Sequence, residues 1–144
     1  MNGLYLLVCF IGGAALAFQA SVNSEVGRRI GTLEVACLAY GVGTLALAAA
    51  VYFGGQGNFA ALLTLPKWKW FAGLLGATYI FIIVLSVPKI GVAPAIIATI
   101  AGQLFLSTVI DHFGLFGNAL TPVNGSRIVA LGLMLLATYL FYKD

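Results

Sequence analysis

Five apolar stretches, each long enough to cross a bilayer, occupy most of this chain, at roughly residues 4–22, 33–53, 70–87, 92–113 and 128–142. A helix rising about 1.5 Å per residue needs about 20 residues to cross about 30 Å of hydrocarbon, and each stretch is near that length. Inside lipid the backbone must satisfy its own hydrogen bonds, so only helices or a closed barrel are admissible. Barrel strands would alternate apolar and polar residues with period two, and that alternation is absent. The sequence therefore predicts an all-α integral membrane protein, one domain of five transmembrane helices over residues 1–144. With 62% hydrophobic and 8% charged residues, there is too little polar surface for a water-soluble exterior.

The same composition excludes several function classes. The seven basic residues are scattered, with no run or patch to neutralise phosphates, so nucleic acid is not an expected partner. Cys9 and Cys37 fall inside spans without metal-ligand spacing and read as small packing residues. No serine-histidine-acid set, metal cluster or phosphate loop can be assembled, so neither an enzyme nor a cofactor is expected. The first span lacks a basic leader and a cleavage site and reads as a retained helix.

Flanking charge is nearly balanced. Five spans put Lys67, Lys69 and Arg127 on one side of the membrane and Arg28, Arg29, Lys89 and Lys143 on the other. A protein of fixed orientation usually concentrates Lys and Arg in its cytoplasmic loops. Two readings fit: the Arg28-Arg29 side is cytoplasmic by a single charge, or the chain inserts both ways and pairs with an inverted copy, the geometry of many secondary transporters.

Polar residues inside the spans recur at helical spacing. In the first span Gly12, Ala15, Gln19 and Asn23 carry one face from small to polar, and in the second Glu34, Cys37, Gly41, Thr44 and Ala48 do the same. The fourth span is the most informative: Thr99, Gln103, Ser107 and Asp111 form a stripe, with Gln103 near the bilayer midplane. An unpaired amide there costs a few kcal/mol, so the stripe must meet other helices or a watery cavity. The fifth span, Leu-rich with Ala130, Gly132 and Ala137, reads as a packing or dimerisation helix. Pro66-Lys67-Trp68-Lys69-Trp70 alternates rings and ammonium groups as an interface anchor does, and Asn124-Gly125-Ser126 fits a glycosylation sequon.

Glu34, Asp111 and His112 are the ionisable candidates for ion coupling, since a desolvated carboxylate or an imidazole can exchange protons. Glu34 also suits the start of a helix, whose positive end favours a carboxylate. Asp111 sits at the unfavourable end of its helix, which marks it as a functional group or as a partner for Arg127 or for a cation from another chain.

Asp111-His112-Phe113-Gly114-Leu115-Phe116-Gly117, with Gly102-Gln103, Val87-Pro88-Lys89-Ile90-Gly91 and the Gln19 to Asn23 stretch, resembles the YdcZ-like branch of the drug/metabolite transporter (DMT) superfamily across essentially the whole chain. Larger members of that superfamily look like two inverted five-helix halves, so this chain resembles one half of a ten-helix inverted-repeat transporter. The resemblance implies a multi-pass protein of the cytoplasmic (inner) membrane that moves a small polar metabolite or drug-like molecule by alternating access. It would work as an antiparallel homodimer or with a paralogous partner. The polar stripes make Gln19, Asn23, Thr99, Gln103 and Ser107 the expected substrate-binding residues. Small multidrug transporters carry an acid in the first helix for proton-cation exchange, whereas Gln19 and Asn23 cannot titrate, which favours a neutral or zwitterionic substrate. The rival expectation is a non-transporting membrane subunit that stabilises a partner, its polar stripes bonding helices together.

Overall fold

The computed structural model describes residues 2–143; residues 1 and 144, which the expected domain includes, lie outside them. Among the described residues there are five long helices and no strand: α1 (Asn2–Ile30), α2 (Thr32–Gly54), α3 (Ala72–Ile90), α4 (Val92–Phe113) and α5 (Gly125–Lys143). Each is long and apolar enough to cross a membrane, in agreement with the expected all-α membrane fold. Short 3₁₀ segments occupy Phe59–Thr64, Lys67–Phe71 and Leu115–Gly117.

The first helix outlasts its apolar stretch. Its 29 residues span about 43 Å, well beyond the hydrocarbon thickness. The polar extension is held by pairs one turn apart: Arg29 meets Glu25 at 3.3 Å and Arg28 donates to Ser24 Oγ at 3.4 Å. Glutamate before arginine at this spacing, and arginines at a helix C-terminus, are both favourable, although the exposed Arg29–Glu25 pair contributes at most about 0.5 kcal/mol.

Contacts divide the chain into two compact units, one running up to Pro88 and the other starting at Lys89. In the first, the core lies toward the α1–α2 junction, where Ala20 and Ser24 of α1, Val35 and Ala36 of α2, and Ile83, Val84 and Val87 of α3 are buried. Gly27 is the close-approach point. A Cβ built there would lie 2.8 Å from Val84 Cγ1 and 3.1 Å from Val35 Cγ1. Farther along, Gly76 of α3 leaves room for the Tyr40 hydroxyl of α2. In the second unit α4 packs against α5.

Single glycines join α1 to α2 and α3 to α4. Gly31 has φ 108° and ψ 151°, and Gly91 has φ 88° and ψ 165°, a backbone region open essentially to glycine alone. Both follow a basic residue and isoleucine, Arg29-Ile30 and Lys89-Ile90. Both carbonyls accept the amide four residues on, Val35 at 3.1 Å and Ala95 at 3.4 Å, and those two residues are buried. The chain thus uses one turn design twice. Gly31→Ala is expected to destabilise the protein by about 1–3 kcal/mol, read as a lower unfolding midpoint in detergent. Gly12→Ala, in open helix surroundings, should be neutral or slightly stabilising; equal midpoints for the two variants would contradict the strain argument.

Candidate functional site

The stripe expected on α4 is present, and its members differ in how they are satisfied. Thr99 donates to the Ile96 carbonyl at 2.8 Å and Ser107 to the Leu104 carbonyl at 3.0 Å. Each hydroxyl has spent its proton on its own helix and presents only acceptor lone pairs outward. Gln103 lies at the middle of the 22-residue helix, is exposed, and has no hydrogen-bond partner among the described residues. An amide in that state brings two donors and one acceptor oxygen to the hydrocarbon midplane, a cost of several kcal/mol unless a ligand, water or another chain meets it.

Gln19 and Asn23, one turn apart on α1, are half-buried and likewise lack hydrogen-bond partners among the described residues. No side-chain nitrogen or oxygen that is fully buried in the described residues is unsatisfied, so both amides reach open space. Ser24, beside Asn23, was not singled out by its sequence. It is the buried polar residue of α1 and accepts from Arg28. The available signal was the serine four residues before an arginine on a helix.

The Asp111-His112 segment is built into the turn from α4 to α5. Gly114, left-handed at φ 59°, ends α4, and Phe116 adopts φ 60° in the turn that follows. The Asp111 carbonyl accepts the Thr121 amide at 2.8 Å, and His112 Nδ1 accepts the Val123 amide at 3.1 Å. The bond leaves Nε2 as the ring nitrogen not engaged with the loop. Asp111 Oδ2 lies 3.5 Å from Arg127 Nη1 in a half-exposed ion pair, one of the partners expected from the sequence. Arg127 also reaches the Thr121 carbonyl at 3.4 Å. Asn124, noted as the start of a sequon, caps α5 by accepting the Arg127 amide at 3.0 Å. The aspartate, the histidine and the glycine of the motif therefore each hold the returning loop.

Glu34 is the third residue of α2, exposed, with its carboxylate folded against Gly31 and no ion pair among the described residues. This placement at a helix N-terminus is favourable by itself. Cys37 lines an apolar groove between α2 and α3 with Leu33, Tyr40, Ala77 and Phe81, and no group of metal-ligating residues exists among the described residues.

Residues 4–140 match the family model described as "Putative inner membrane exporter, YdcZ". The chain belongs to the YdcZ family. It is accordingly a multi-pass inner-membrane protein of an exporter family, and an exporter family is not an enzyme class. Comparisons with curated proteins and with solved structures gave no match. The YdcZ match reaches into all five helices and includes Gln19, Asn23 and Gln103.

Proposed function

We propose that this YdcZ-family chain is one half of an exporter, paired as an antiparallel dimer or with a paralogous partner, that moves a small polar molecule across the inner membrane by alternating access. The observation that carries this reading is Gln103, an exposed, unpartnered amide at the middle of a membrane helix. Lipid cannot satisfy it, and a polar pathway between two copies would. Thr99 and Ser107 offer acceptor oxygens on the same helix, and Gln19 and Asn23 offer amides on α1. Acceptors and amides without a net charge fit a neutral or zwitterionic solute bearing N–H or O–H groups, recognised by hydrogen bonds.

Asp111, His112 and Glu34 are the ionisable residues through which ion coupling would run. Protonating Asp111 would release Arg127, and protonating His112 would turn its acceptor nitrogen into a donor and release the Val123 amide. Either event would loosen the α4–α5 turn.

The test is uptake by inside-out vesicles carrying this chain alone, challenged with a mixture of polar neutral and zwitterionic metabolites under an imposed proton gradient and without one. Accumulation of at least one compound above empty vesicles is the expected result. No accumulation in either condition would reject transport by a homodimer of this chain, and none after co-expression with a paralogous partner would reject the transporter reading in favour of a structural subunit.

A further inference from the structure

The segment between α2 and α3 carries two cations, Lys67 and Lys69, that make no ion pair among the described residues. Lys67 and Lys69 are exposed, and no Asp or Glu occurs between Glu34 and Asp111. Within the unit that ends at Pro88, the acids are Glu25 and Glu34, one in the last turns of α1 and the other in the first turn of α2. Glu34 is separated from the segment by the rest of α2, residues 35–54, or about 30 Å.

Below Lys67 lies a matching apolar track. The 3₁₀ turn Lys67–Phe71 runs directly into α3. Lys67, Trp70, Phe71 and Leu74, at i, i+3, i+4 and i+7, line one open groove of about 640 Å³. Trp70, Phe71 and Leu74 are each at least half exposed. The track starts with an ammonium, passes two aromatic rings suited to the headgroup boundary, and ends on a leucine along the membrane helix. Lys69 stands 5.9 Å over the Trp68 ring beside it.

We propose that this groove is a binding site for an anionic phospholipid, the headgroup phosphate on Lys67 and the first part of an acyl chain along Trp70, Phe71 and Leu74. Charge complementarity selects the occupant. An ammonium with no ion pair among the described residues, above an apolar track, fits a molecule that is anionic at one end and hydrocarbon at the other, and the bilayer supplies such molecules at that depth. A zwitterionic lipid would satisfy the apolar track while leaving the lysines without net counter-charge.

Trp68 and Trp70 are the two tryptophans of the sequence, so intrinsic fluorescence reports on this site. The chain is reconstituted in vesicles of phosphatidylcholine and phosphatidylglycerol in which one or the other carries brominated acyl chains, which quench a tryptophan they touch. Brominated phosphatidylglycerol is expected to associate about fivefold more strongly than brominated phosphatidylcholine at low salt, the advantage one lysine gives near an anionic surface. Lys67→Gln should remove most of that preference while leaving the emission maximum unchanged. Trp68→Phe, which leaves Trp70 as sole reporter, should retain it. Equal quenching by both lipids, an undiminished preference in Lys67→Gln, or relief of quenching by millimolar inorganic phosphate would each overturn the site.

Discussion

Gln103→Leu is expected to reduce transport by roughly tenfold or more while leaving insertion, folding and self-association intact. The substitution removes the unpartnered amide at the middle of α4 and replaces it with a side chain of similar volume that lipid accepts. A ligand that hydrogen-bonds to this amide would lose about 1–3 kcal/mol of interaction, roughly 5- to 150-fold in affinity. Because the amide has no partner among the described residues, nothing within the described chain is left unsatisfied by its removal. Vesicle uptake measures the first effect, and cross-linking together with the unfolding midpoint in detergent measures the second. A variant that transports normally would remove Gln103 from the pathway. A variant that fails to associate with a second copy or with a partner, without any uptake by the parent chain, would favour the structural-subunit alternative.

Gly27→Leu is expected to have the largest effect on stability. The glycine of α1 lies where even a methyl group would come within 2.8 Å of Val84 on α3 and 3.1 Å of Val35 on α2. Val35 and Val84 are among the most completely buried side chains, so neither can move aside into open space. Overpacking of this kind costs about 1–3 kcal/mol, more where several atoms are forced in. Thermal unfolding in detergent should show a clearly lower midpoint for Gly27→Leu and a smaller loss for Gly27→Ala. Adding Val84→Ala to Gly27→Ala should recover part of that loss by returning the space. An unchanged midpoint for Gly27→Leu would contradict the three-helix contact.

Helix number and type were legible because lipid leaves no other way to satisfy the backbone, and five apolar runs admit one interpretation. The end of α1 was less legible. Hydropathy locates the edge of the hydrocarbon near Val22, whereas the helix continues to Ile30 on the strength of local pairs between Glu25 and Arg29 and between Ser24 and Arg28. The importance of Gly31 and Gly91 was hidden because a glycine beside an isoleucine looks like many others until its dihedrals are known.

In the Asp111-His112 segment the residue types gave two readings, ion coupling or structural pairing with Arg127. The pairing is present, and the backbone amides of Thr121 and Val123 that bond to this segment have no sequence signature. Gln103 was legible as an amide in an apolar helix, but its lack of a partner among the described residues is a fact of three dimensions.

Antiparallel pairing is the central claim, and membrane orientation tests it most directly. A single cysteine at Gly57, which lies in an open part of the α2–α3 loop, is introduced with Cys9→Ala and Cys37→Ala and labelled with a membrane-impermeant maleimide in right-side-out and inside-out vesicles. Comparable labelling in both preparations, with the two fractions adding to the total seen after detergent, is the result this account predicts for a chain that pairs with its own inverted copy. Labelling in one preparation only would contradict the antiparallel homodimer.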